Sequence, residues 1–174
     1  MCMSDNTPPP EPPRPPGGSD TPPPPPPIDI NTINDTYADV ASLNSYRKWG
    51  PYNTHDPSIM KEGDYFYCYS TDAAYGGTVR AGIQIRRSLD LINWQFVGWV
   101  FSSLPSKGSA FITQSGGTPN NSLWAPYVLK VGSEFRLYYS LSSNKDRLSV
   151  IGLATSSSPT GPWTEKDVIV GSKN

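Results

Sequence analysis

The sequence predicts an all-β chain assembled from propeller blades, and three observations carry that expectation. Two stretches repeat each other at an offset of 69 residues. Each repeat divides into four short strand-like runs separated by turn residues, with a tryptophan ahead of the last run. No long segment places apolar residues at helical spacing.

The first 27 residues stand outside the repeats. Thirteen of the 20 prolines fall between Pro8 and Pro27. Such a stretch has little apolar surface to bury, so residues 1–27 are expected to form an extended, solvated linker of polyproline-II type. As a semi-rigid spacer of roughly 3 Å per residue, it suits holding a domain away from an anchor. The same pattern fits a ligand for SH3-type domains. No basic segment followed by an apolar one precedes it, so no complete signal peptide is visible. Cys2, followed by polar residues, resembles the start of mature bacterial lipoproteins, which makes membrane anchoring through lipidation of Cys2 one expectation for the tail.

The partial propeller is expected over residues 28–174, with blade 1 at about 46–101 and blade 2 at about 120–171. In blade 1 a short strand in the stretch that begins at Asp56 ends at Lys61-Glu62-Gly63, where glycine permits a tight turn. Tyr65–Ser70 follows, rich in the aromatic residues that sheets favour. Gly82–Arg87 and Trp94–Phe101 are the third and fourth strands. Blade 2 repeats the pattern with Ala125–Lys130 and Gly132, then Glu134–Ser140, Ser149–Thr155 and Trp163–Val170. Pro57 matches Pro126, Lys61 matches Lys130, Gly63 matches Gly132 and Phe66 matches Phe135. Trp94 and Trp163 occupy equivalent positions and are expected in the core, and Trp99 is expected to pack as well. Two blades cannot close a ring, and the chain stops at Gly171-Ser172-Lys173-Asn174, just after a blade. The sequence therefore reads as an N-terminal fragment.

Composition excludes several partners. Fourteen basic and 15 acidic side chains give a net charge of −1, with no electrostatic footprint for nucleic acid or an anionic membrane surface. A single histidine makes a zinc site improbable. Cys68, inside the run Tyr65–Tyr69, is expected to be a buried small apolar residue and not the disulfide partner of Cys2.

The repeats differ in one telling place. His55-Asp56-Pro57 in the first becomes Trp124-Ala125-Pro126 in the second. Packing residues should recur from blade to blade, whereas a polar residue that occurs once points to a site. The innermost strand of a propeller blade lines the central channel, so Asp56 is expected at the channel mouth, as a carboxylate able to take a proton.

Four motifs carry a family resemblance: Trp49-Gly50-Pro51, Asn53-Thr54-His55-Asp56-Pro57-Ser58-Ile59, Trp124-Ala125-Pro126 and Ile151-Gly152-Leu153-Ala154-Thr155-Ser156. Over roughly residues 46–170 the chain resembles glycoside hydrolase family 43, and within it the arabinanases most. The resemblance implies a five-bladed β-propeller, of which this chain supplies about the first two blades. It implies inverting hydrolysis of arabinan or arabinoxylan oligosaccharide, with Asp56 as general base. In the family the acid glutamate and a pKa-tuning aspartate come from later blades, so the fragment alone is expected to be inactive. An endo-1,5-α-L-arabinanase is the leading expectation. An exo-acting α-L-arabinofuranosidase or β-xylosidase shares the base motif, and a non-catalytic glycan-binding piece is the alternative from another class. The resemblance also implies a secreted or outer-membrane-anchored bacterial protein, acting as a monomer and requiring no cofactor in this fragment. It leaves open a metal ion in the channel.

The remaining candidates keep two readings each. His55 either contacts the sugar beside the base or makes a structural hydrogen bond. Trp124 is a sugar platform or a core residue. Tyr127 stands where many family members have aspartate after Trp-Ala-Pro, and it either stacks on a sugar or packs between blades. Ser143 and Asn144 lie in a loop comparable to one that reaches substrate in arabinanases. Asp72, Asp146, Asp167, Glu62 and Glu134 match no family motif and are expected to be solvated surface charges.

Overall fold

The computed structural model describes residues 54–71 and 81–172. The Pro-rich tail with Cys2, the Trp49-Gly50-Pro51 motif, Asn53 and Asp72 lie outside the described residues.

Eight strands and one helix follow in the order β1 His55–Glu62, β2 Tyr65–Thr71, β3 Gln84–Ser88, β4 Gln95–Trp99, α1 Ser106–Gln114, β5 Trp124–Val131, β6 Glu134–Ser142, β7 Ser149–Ser156 and β8 Thr164–Gly171. They form two four-stranded antiparallel sheets, ordered β1-β2-β3-β4 and β5-β6-β7-β8. The expected strands are all present, with ends shifted by one or two residues. The helix between the sheets was not expected.

The sequence repeat is a backbone repeat. His55 pairs with Thr71 and Ser58 with Tyr69 in the first sheet; Trp124 pairs with Ser140 and Tyr127 with Tyr138 in the second. A register shift falls between those pairs in both sheets. At its centre Asp56 has φ 49° and Ala125 φ 45°, left-handed values that non-glycine residues seldom adopt. The hairpin turns match too, with Gly63 at φ 57° and Gly132 at φ 62°. Lys61 lies 5.3 Å from the Phe66 ring, and Lys130 stands 5.3 Å from the Phe135 ring.

The core lies between the sheets. Strand alternation turns Tyr67 and Tyr69 of β2 to one face, where Ile83 and Ile85 join them. Phe135, Leu137, Tyr139 and Leu141 of β6 answer from the second sheet, with Val150 and Ala154 of β7. The Tyr69 ring meets Trp163 edge-on at 6.0 Å, and its hydroxyl donates to the Pro159 carbonyl at 2.7 Å. Burial in the first sheet thus comes from the second. Ile83 is 0% exposed, while Ile151, its equivalent in the second sheet, is 40% exposed. Ile169 and Val170 of β8 are also exposed. The other face of the first sheet buries polar groups: Arg86 donates to Ser70 Oγ at 3.1 Å and to Gln84 Oε1 at 2.6 Å. The second sheet has Ala154 where the first has Arg86.

Two tryptophan expectations divide. Trp163 is buried beneath Tyr69, but Trp94 is only half-buried, and its Nε1 donates to the Leu91 carbonyl at 3.0 Å. Equivalent positions need not be equally buried, because the neighbouring sheet supplies the cover. Trp99 packs edge-on against Phe96 at 4.7 Å. Cys68 is buried and free, and burial pushes its thiol pKa up, against the pull of Arg86.

Helix α1 begins at Pro105, whose side chain offers no cap, and the cap comes from Glu165 on β8. That carboxylate accepts the Lys107 N–H at 2.9 Å, the Gly108 N–H at 3.0 Å and the Ser106 hydroxyl at 3.2 Å. The Lys107 ammonium donates to the Lys166 carbonyl beside it. Ile112 is the helix's buried anchor. Among the described residues no helix is long and apolar enough to cross a membrane.

Gly152 sits opposite Tyr139 in the β6–β7 ladder, and a Cβ there would fall 2.2 Å from the tyrosine ring. Gly152→Ala should therefore cost about 1–3 kcal/mol in urea unfolding. Adding Tyr139→Leu should recover part of that loss; an unchanged midpoint for Gly152→Ala would mean that the ring does not rest on the glycine.

Candidate active site

The site grows from the bulge at the start of β1. The register shift leaves Asp56 outside the regular ladder. Aspartate tolerates the left-handed region better than most residues, and bulges commonly re-aim a side chain. His55 and Asp56 are both exposed. Asp56 Oδ2 accepts a hydrogen bond from the Thr71 hydroxyl at 2.8 Å. The same Thr71 oxygen accepts the Ala125 backbone N–H at 2.9 Å. The bulge of the second sheet is thus tied through one threonine to the carboxylate of the first.

Two more ties continue along the inner strands. Ser58 Oγ accepts the Val128 N–H at 3.0 Å, and Lys130 Nζ pairs with Glu62 at 2.6 Å. The three contacts hold β1 beside β5, with Asp56 and Trp124 at the same end of the seam. Trp124 is 45% exposed and Tyr127 is 61% exposed.

Ser143 and Asn144 lie just beyond β6, at the end of the sheet where β5 begins. Their side chains hold their own loop together. Ser143 Oγ donates to the Leu148 carbonyl at 2.8 Å, and Asn144 Oδ1 accepts the Thr118 N–H at 2.8 Å.

The other carboxylates have local tasks. Glu62 and Glu134 pair with Lys130 and Arg136, and Asp146 and Asp167 are exposed. Two acidic residues that sequence reasoning missed have strongly shaped surroundings. Asp90 closes the β3–β4 turn. The Asn93 backbone N–H and side-chain amide, followed by the Ile92 N–H and the Ser88 hydroxyl, hold its carboxyl well below the usual range. Glu165 is the other. Burial opposes its ionisation, but the Lys107 N–H, the Tyr139 hydroxyl, the Gly108 N–H and the Ser106 hydroxyl together keep its pKa low. Asp90's signal was present in Ser88-Leu89-Asp90, a turn sequence; that of Glu165 was not, since its partners lie 26 residues away on β6 and 57 residues or more away in α1. Among the described residues no group of three or more His, Cys, Asp or Glu side chains could hold a metal ion.

Residues 50–174 match the family described as Glycosyl hydrolases family 43. The chain belongs to that family. Across 127 residues this family 43 chain is 32% identical to the extracellular endo-α-(1→5)-L-arabinanase 1 of Bacillus subtilis, covering 71% of the chain and 37% of the relative. It is 30% identical to the extracellular exo-α-(1→5)-L-arabinofuranosidase of Cellvibrio japonicus, over 69% of the chain and 33% of that protein. It is 38% identical to a probable arabinan endo-1,5-α-L-arabinosidase A of Aspergillus flavus, over 71% of the chain and 34% of the relative. The chain therefore spans about a third of the length of these curated relatives. Its fold is similar to that of the native Bacillus subtilis arabinanase, with a TM-score of 0.59 and 30% identity over 69% of this chain and 39% of that one. The endo-arabinanase of Bacillus licheniformis gives the same TM-score of 0.59 at 28% identity, over 71% of this chain and 40% of the other.

Glu165→Gln should lower the thermal unfolding midpoint at neutral pH by removing the charged acceptor from α1. The folded pKa of Glu165 is depressed, so its contribution is full above the unfolded carboxylate value and is lost as pH falls through the folded one. The gap between wild type and Glu165→Gln should accordingly narrow in melts taken from pH 7 down to about pH 3. A gap that stays constant would show that the charge contributes nothing.

Proposed function

We propose that this chain supplies the general base of an inverting, arabinan-degrading glycosidase built as a five-bladed β-propeller, of which the two sheets are the first blades. The observation that carries the proposal is the doubled bulge. Blades 1 and 2 build the same left-handed backbone at positions 56 and 125, yet only the first bears a carboxylate. A feature kept in the backbone but armed once belongs to chemistry and not to packing. The exposed apolar positions of blade 2, Ile151, Ile169 and Val170, suit the packing of a further blade.

In the proposed reaction a water oxygen attacks the anomeric carbon while Asp56 takes the water's proton. The glycosidic C–O bond breaks, and its oxygen takes a proton from a general acid carried by a later blade. The two carboxyl groups stand roughly 6.5–9.5 Å apart in inverting glycosidases, which leaves room for the water. Acid and base act as a unit, so the 174-residue chain by itself should turn over little substrate. The substrate assignment rests on the relatives. The Bacillus subtilis and Aspergillus proteins are named for endo action on 1,5-arabinan, and a Cellvibrio cellulosa α-L-arabinanase of similar fold was solved with arabinohexaose. Endo action is favoured because more of these names carry it; the Cellvibrio japonicus relative is named for exo action. His55, Trp124 and Tyr127 would flank the sugar, with a smaller part for Ser143 and Asn144, whose side chains bind their own loop. Several relatives are named extracellular, and secretion is proposed on that ground, with residues 1–27 as a spacer and Cys2 as its lipid attachment point.

In the intact hydrolase, Asp56→Asn should lower turnover of linear 1,5-arabinan by about 10²–10⁴-fold while arabinohexaose still binds in calorimetry. Product sizes from wild type separate endo from exo action. Turnover that survives Asp56→Asn would overturn the base assignment, and binding without any turnover by wild type would favour the non-catalytic glycan-binding alternative.

A further inference from the structure

We infer that Thr71 is a positioning residue for this reaction, its hydroxyl aiming the Asp56 carboxylate at the attacking water under the direction of the Ala125 amide of blade 2. The inference rests on Asp56 being the base.

A hydroxyl carries one hydrogen and two lone pairs. The Ala125 N–H, 2.9 Å away, occupies a lone pair of Thr71 Oγ1. The single hydrogen then goes to Asp56 Oδ2 at 2.8 Å. Without the amide the hydroxyl could turn; with it, donor and acceptor roles are fixed. One carboxylate oxygen is held and Oδ1 is left to take the proton from water.

Both ends of this relay depend on a bulge. Ala125 falls in the register shift between Trp124 and Tyr127, and its N–H is directed across the seam to Thr71. Asp56 falls in the matching shift of β1. Thr71 pairs with His55 at the end of β2, which fixes its backbone beside the base. Its equivalent in blade 2, Ser140, also has a hydroxyl and pairs with Trp124, but the position corresponding to Asp56 there is Ala125. The relay to a carboxylate therefore occurs in one of the two described sheets and not in the other. Its consequence is that the base is oriented only when blade 2 is seated on blade 1.

The test compares wild type, Thr71→Val and Thr71→Ser in the intact hydrolase on linear 1,5-arabinan. Thr71→Val keeps the shape and removes the hydroxyl. A hydrogen bond to a charged group of this kind corresponds to about a ten- to hundredfold fall in kcat, with KM held within about twofold. Thr71→Ser should keep kcat within about threefold. Sodium azide, an anionic nucleophile that needs no base, should speed Asp56→Ala, where the lost carboxylate leaves room for an anion, but not wild type or Thr71→Val. Thermal midpoints and amide exchange at Ala125 report whether the seam is intact, and Thr71→Ala takes the place of Thr71→Val should the valine variant not fold. Unchanged kcat in the hydroxyl-free variant would overturn the proposal. So would equal losses in Thr71→Val and Thr71→Ser, which would make Thr71 a fastener of the seam alone. Turnover retained by Asp56→Asn would instead remove the base assignment itself, whatever Thr71 does.

Discussion

A β-sheet has two faces to cover, and the first sheet covers one of them only by lying against the second. Tyr69, Ile83 and Ile85 are fully buried because Phe135, Leu137, Tyr139 and Trp163 lie opposite them. Everything at the site follows from that seating. Once the faces meet, β1 and β5 come side by side, and Ser58, Glu62 and Thr71 find partners in Val128, Lys130 and Ala125. The polar ties along the seam are individually modest. The apolar contact between the sheets is what makes their geometry repeatable.

Repetition and exception divide the labour between stability and chemistry. The hairpins, the bulges and the lysine–phenylalanine contacts recur at a fixed offset because each sheet solves the same packing problem. Three departures stand out. Asp56 replaces alanine at a bulge, Arg86 replaces alanine on a buried face, and Tyr127 stands where the first sheet has Ser58. The first presents a carboxylate to solvent and the second ends in hydrogen bonds to Ser70 and Gln84. Tyr127 loses the side-chain acceptor that Ser58 offers to the neighbouring strand and gains an exposed ring. One exception in a repeat is therefore a reason to look for a function, and its burial indicates whether the function is internal.

The fold was legible because strand grammar is local. Gly63 and Gly132 announce turns, and Tyr65–Tyr69 and Phe135–Tyr139 announce strands, each from its own few residues. Asp56 was legible as an exception, but its link to Thr71 was not, since the two meet only after β1 and β2 pair and the Ala125 amide arrives from the next sheet. Helix α1 was hidden for a related reason. It is short, has Gly108 in its interior and starts at a proline with no side-chain cap. Its stabilising carboxylate lies on a distant strand. Trp94 misled because the repeat gave its position but not its cover.

The cap on α1 has a consequence for the order in which the chain can be completed. Glu165 follows Gly108 by 57 residues and sits in the outermost strand of its sheet. During synthesis the helix therefore emerges long before the group that closes its first turn. Until β8 is added, the connection between the sheets has bare amide ends and Tyr139 lacks the acceptor for its hydroxyl. The last strand of the second sheet acts as a latch on the passage from the first. Synthesis must proceed past residue 165 before the linker, the tyrosine and the strand settle together.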